Sequence, residues 1–129
     1  MLLKIIYLMA GGALGTFSRY VVSGFMHRWI TGFFPWGTLA VNATGALFIG
    51  LSWGLFEIKG IPPHTRMFLF VGFLGGYTTF STFALETMNL AREGAIKTAV
   101  FSMLTNNVLA IAFVFGGYFL AKAILTYLK

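Results

Sequence analysis

The chain contains no cysteine, and its only acids are Glu57, Glu86 and Glu93. Without a thiol, disulfides, thiolate metal sites and cysteine nucleophiles are excluded. Glu57 and Glu93 fall in connecting turns, so no carboxylates pair for acid–base chemistry. The two histidines, His27 and His64, lie near segment ends with no partner at metal-ligand spacing. They read as interfacial side chains whose polar tips reach water. Proline occurs only at Pro35, Pro62 and Pro63, between apolar stretches. No linker or low-complexity tract interrupts the chain, which reads as a single unit over residues 1–129 with no room for a soluble catalytic domain. An enzyme is not expected.

What fills the chain instead is apolar. Hydrophobic residues make up 58% and charged residues 9%, with a mean hydropathy of +0.85. A soluble domain carries about a quarter charged residues, so the composition is that of an integral membrane protein. Four spans are expected, at about residues 2–26, 38–56, 66–90 and 98–127, each long enough to cross about 30 Å of hydrocarbon. The first apolar run is too long for a signal-peptide core and ends in no convincing cleavage site. The net charge of +6 sits mostly beside the spans, where it suits lipid headgroups better than nucleic acid. Trp29 and Trp36 bracket the first turn as interface anchors.

The third span holds the sequence's most unusual stretch, Gly72 to Phe83, GFLGGYTTFSTF. Two adjacent glycines and two β-branched threonines are poor helix formers, and broken backbone in a bilayer is tolerated only where protein buries it or water lines it. A helix ending near Gly75 would free carbonyls, and a restart near Thr79 would free N–H groups. Carbonyls released this way commonly coordinate a small hard cation such as Na⁺; the alternative is a plain kink satisfied by hydroxyls. Beyond the break, Thr79, Thr82 and Glu86 fall on a stripe about 60° wide at 100° per residue. Phe80 and Phe83 lie on the adjoining flank. Phenyl edges are electropositive, so such a face suits a small anion held weakly enough to leave again; the alternative is ordinary core packing. Arg19 lies inside the first span, where a charge must reach water or a partner. Asn42, a full amide in the second span, either packs against a neighbouring helix or lines a path.

Both termini of a four-span chain lie on one side. The basic residues on that side are Lys4, Lys59, Arg66, Lys122 and Lys129, against Arg19, Arg28, Arg92 and Lys97 on the other. This near balance sets no single orientation. Insertion both ways round, and an antiparallel dimer of one sequence, follow as expectations.

GFLGGYTTFSTFALET at Gly72–Thr87, GGALGTFSRY with Arg19, and GTLAVNATGALFIG with Asn42 together resemble the Fluc/CrcB fluoride channels over nearly the whole chain. The resemblance implies an all-α, dual-topology antiparallel homodimer with the third helix broken in mid-membrane and two separate fluoride pores. Phe80 of one subunit and Phe83 of the other would form aromatic boxes along each pore. Asn42 matches a pore-facing amide near the aqueous vestibule, and Arg19 an arginine at the wide mouth. Thr79, Ser81, Thr82 and Glu86 match a polar track beside the boxes. Gly75 and Thr78 match positions whose backbone carbonyls hold a structural, non-transported Na⁺ at the dimer axis. Such a channel lets fluoride leave the cytoplasm passively across the inner (plasma) membrane. Some family members carry a serine in the fourth helix where this chain has Ala110, leaving Asn106 or a water to take that role. The competing reading is a proton-coupled exporter of the small multidrug resistance type. That class needs a carboxylate in its first span, and this first span has none.

Overall fold

The computed structural model describes residues 1–57 and 60–128; Lys59 and Lys129, two of the basic residues weighed for topology, lie outside the described residues. Every regular element among the described residues is helical. In order these are α1 (Leu2–Trp29), α2 (Trp36–Phe56), α3 (Pro63–Thr65), a π-helical run (Arg66–Leu74), α4 (Gly75–Tyr77), α5 (Phe80–Arg92) and α6 (Ile96–Tyr127). Among the described residues, four helical stretches are long and apolar enough to span a membrane: α1, α2, the composite Pro63–Arg92, and α6. The protein is a multi-pass membrane protein.

Helix ends differ from the expected span limits because hydropathy marks the membrane and capping marks the helix. α1 continues past Met26 to Trp29, with His27 and Arg28 in its last turn, where cations complement the freed carbonyls. The third span starts at Pro63, since proline is preorganised for a first helical turn and has no N–H to satisfy. α5 closes when Gly94, at φ +82, lets the Gly94 and Ala95 amides bond the Ala91 and Leu90 carbonyls at 3.1 and 2.9 Å.

α2 is the central helix: nine of its residues are buried, against two in α1. It packs on α6 through reciprocal notches. Gly50 receives the Val114 carbonyl, and Gly117 receives the Leu47 carbonyl. The buried residues of α6, among them Ala99, Ser102, Asn106, Gly117 and Ala121, follow helical spacing and form one face. At the end of this pair Glu57 accepts hydrogen bonds from the Lys122 ammonium and, at 3.0 Å, from the Tyr118 hydroxyl. The Lys122 hydrogen bond, more than that from Tyr118, holds the Glu57 carboxyl below its ordinary pKa.

The second pairing joins α1 to the first limb of the third span. Gly11 and Gly15 lie against the carbonyls of Phe68 and Phe73, while a Cβ at Gly72 or Gly76 would come within 2.7 or 2.8 Å of α1 carbonyls. Backbone meets backbone along this seam, as small residues allow in lipid. The expected helix end near Gly75 is corrected. Gly75 keeps helical angles (φ −64, ψ −36) and α4 runs on to Tyr77. Extended backbone occurs instead at Thr78 (φ −80, ψ 156) and Thr79 (φ −149, ψ 117). Gly76 serves the contact with α1. The interruption belongs to the threonines, which have side-chain and cross-helix partners to compensate the lost helical bonds.

Candidate functional site

The Thr78 amide makes the last helical bond of this limb, to the Leu74 carbonyl at 3.0 Å, and three groups then hold the chain. The Thr78 hydroxyl donates back to the Leu74 carbonyl at 2.9 Å. Thr79 becomes the N-cap of α5: its hydroxyl oxygen accepts from the Thr82 amide at 3.2 Å and its proton goes to the Thr82 hydroxyl at 3.0 Å. Asn42 of α2 completes the substitution. Its Oδ1 accepts from the Thr79 amide at 2.8 Å and its Nδ2 donates to the Thr79 carbonyl at 3.0 Å. A second bond from Nδ2 reaches Asn106 Oδ1 at 3.2 Å. Both N–H groups of Asn42 are therefore engaged inside the chain. The amide expected to face a vestibule is a clamp on the interruption as well as part of a cavity wall.

That cavity, about 350 Å³, is bounded by α2, both sides of the interruption and α6, and it gathers Asn42, Thr78, Thr79, Phe80, Phe83 and Asn106. Phe80 and Phe83 meet edge to face with centroids 5.5 Å apart. They differ sharply in surroundings: Phe83 is 5% exposed, whereas Phe80 is 74% exposed. Asn106 is buried, and its Nδ2 has no hydrogen-bond partner among the described residues. An unpaired buried donor costs about 1–3 kcal/mol, so this amide is a standing site for an acceptor. Ala110 lines the same cavity but brings no hydroxyl. Between the two candidates on α6, Asn106 supplies the polar group.

The remaining expected site residues separate. Arg19 and Thr82 face each other across a second, open cavity with Thr16, Tyr20, Ser23 and His27. Arg19 makes no ion pair, the single one among the described residues being that of Lys122 with Glu57. Glu86 lies in a third cavity with His27, Asn89 and Glu93. Its Oε1 accepts from the Thr38 hydroxyl at 2.9 Å, and its buried Oε2 has no described partner. Ser81 is exposed and lines none of these cavities. Thr79, Thr82 and Glu86 therefore do not line one cavity: Thr79 has left helical geometry and caps α5, while Thr82 and Glu86, one turn apart on α5, line different cavities. Thr38 was missed by sequence reasoning. Its place one helical turn before Asn42 on α2 carried the signal.

The interruption also leaves acceptors. Thr78 donates its amide to Leu74, and Thr79 donates its amide to Asn42. No amide described outside the regular helices bonds the carbonyls of Gly75 or Thr78. Gly75 is exposed, and a Cβ there would make only an ordinary 3.8 Å contact. Thr78 is half-buried, and backbone carbonyls are hard oxygen donors. They fit a hard monovalent cation such as Na⁺ in kind, and among the described residues no cluster of His, Asp or Glu competes for one.

Comparison with known proteins gives a consistent result. The family model described as "CrcB-like protein, Camphor Resistance (CrcB)" matches residues 6–118. A "Fluoride-specific ion channel FluC" of Parabacteroides distasonis is 43% identical over 99% of this chain and 100% of its own length. Proteins of the same name from Nitrobacter winogradskyi and Maridesulfovibrio salexigens are 43% and 40% identical, over 89% and 95% of this chain and 92% and 98% of their own.

Proposed function

This chain belongs to the CrcB-like protein family, a family of non-enzymatic channels, and from that premise we propose that it is a fluoride-selective channel giving passive efflux across the inner membrane. The observation that carries the reading is the cavity in which the Phe80–Phe83 pair and the unpartnered Asn106 amide converge. A small anion entering it meets an N–H donor and electropositive ring edges without meeting a lysine or arginine. That combination replaces hydration while leaving the ion free to depart. Arg19 in the neighbouring open cavity raises the local anion concentration without binding in the narrow part. Thr79 lines that cavity, and Thr82, Glu86 and the exposed Ser81, which lie outside it, would flank the path where a second copy completes it.

The four spans work as one domain, with the interruption at Thr78–Thr79 in mid-membrane. A second, antiparallel copy supports completion of the site. Phe80, largely uncovered by its own chain, lies against Phe83 of that copy, and the twofold arrangement makes two pores. Na⁺ is a structural ion held between copies by the Gly75 and Thr78 carbonyls, where it offsets the freed peptide dipoles.

Purified protein in liposomes is expected to pass fluoride without a proton gradient and chloride far more slowly. Phe80→Ile and Phe83→Ile each reduce fluoride flux about tenfold or more, the factor that ~1.4 kcal/mol represents and near the upper end of an aromatic contact's contribution. Equal chloride flux, or wild-type rates in both variants, would refute the channel. Exchanging Na⁺ for a large organic cation during purification is expected to lower flux, and Na⁺ to restore it. Undiminished flux after the exchange removes Na⁺ from the reading.

A further inference from the structure

Thr78 is held from both sides by α2. Beyond it, Thr79 is bound to Asn42. Before it, Tyr77, 6% exposed, brings its hydroxyl within 2.8 Å of Thr44 Oγ1. The proton on this second bond can be assigned. The Thr44 hydroxyl is committed to the Ala40 carbonyl at 2.6 Å, so Tyr77 donates and Thr44 accepts. The Tyr77 ring is itself constrained, lying parallel to Phe73 at 6.0 Å, and the Thr78 methyl rests where Gly45 has no Cβ. Asn42, Thr44 and Gly45 therefore contact Thr79, Tyr77 and Thr78 in turn, so that one short piece of α2 is the template for the interruption.

We propose that the Tyr77–Thr44 hydrogen bond positions the Thr78 carbonyl for the cation, making Thr44 and Tyr77 positioning residues that never touch the ion. This rests on the channel and its Na⁺ as proposed above. A peptide carbonyl between two anchored residues has little freedom to rotate, so the ordering it needs is complete before the cation arrives. Releasing the Tyr77 anchor leaves Tyr77 in its helical turn and the Thr79 amide on Asn42, but Thr78 is then held from one side only and its carbonyl loses part of its fixed orientation. The cost then falls on cation binding rather than on the fold.

The test compares Thr44→Val, Tyr77→Phe, their combination and Thr44→Ser with wild type. Two readouts are followed as sodium is varied: thermal unfolding in detergent and fluoride flux in liposomes. Each single hydroxyl loss is expected to raise the sodium concentration for half-maximal thermal stabilisation and half-maximal flux by roughly two- to tenfold, the range that one neutral hydrogen bond gives. The double variant matches the singles because both remove the same bond. Thr44→Ser retains the acceptor and behaves as wild type. A uniform drop in unfolding temperature at every sodium concentration, with the sodium midpoint unchanged, assigns the bond to stability alone and overturns the inference. A wild type that conducts no fluoride overturns the channel reading and this inference with it, whereas a conducting wild type beside unshifted variants overturns only the inference.

Discussion

Gly117→Ala is expected to prevent α6 from docking on α2 and to leave little folded protein, whereas Gly116→Ala next to it raises the unfolding temperature. A Cβ at Gly117 would collide with the Leu47 carbonyl oxygen and stand 2.7 Å from the Leu51 amide nitrogen, both backbone atoms that no side-chain rotation can move. A Cβ at Gly116 would meet nothing within 4 Å. The seam matters because lipid tails are as apolar as the helix surfaces, so burial does not favour helix pairing over lipid contact. Close van der Waals approach through small residues carries much of the association. Gly50, where the Val114 carbonyl sits, makes the reciprocal notch on α2, and widening either one separates the helices along their length. Overpacking a tight site costs about 1–3 kcal/mol and occasionally more, while replacing an unencumbered helical glycine by alanine gains about 0.5–1 kcal/mol. The check is unfolding temperature and monodispersity in detergent for both variants and for Gly50→Ala. A Gly117→Ala protein as stable as wild type would mean that α2 and α6 pack by another face.

The helical, four-span plan was legible because apolar runs of membrane length separated by Pro, Gly and charge have few other solutions. The interruption was legible in place but not in residue. Low helix propensity pointed to Gly75 and Gly76, yet a glycine pair stays helical when neighbours need its missing Cβ, as the Gly76–Gly12 contact does. The threonines break instead because Thr79 can cap α5 with its own hydroxyl and because Asn42 is present to take its backbone groups. That second condition lies 37 residues away in the chain, and no local rule contains it. Helical periodicity likewise put Thr79, Thr82 and Glu86 on one stripe, and it fails where Thr79 leaves the helix. Asn106 was visible as a polar residue in an apolar span. Its unpartnered Nδ2 became visible only with Asn42 seen to bond its Oδ1.

Asn42→Leu is expected to reduce fluoride flux by at least about thirtyfold, which corresponds to ~2 kcal/mol. The substitution keeps side-chain volume but strips partners from the Thr79 amide, the Thr79 carbonyl and Asn106 Oδ1 together. Each buried polar group left without a partner costs about 1–3 kcal/mol, so the loss is expected to exceed that of any single hydroxyl deletion at this site. Asn42→Asp separates holding the backbone from passing the ion. An aspartate still accepts from the Thr79 amide, so the start of α5 is retained better than with leucine. It cannot donate to the Thr79 carbonyl or to Asn106, and a carboxylate in the cavity repels fluoride. The expected order is therefore wild type, then Asp, then Leu in unfolding temperature, with Asp no better than Leu in flux at neutral pH. Liposome efflux at neutral pH, read beside detergent unfolding of the same preparations, decides the matter. Wild-type flux from Asn42→Leu would show that the clamp is dispensable, and wild-type flux from Asn42→Asp would show that anions do not pass this amide.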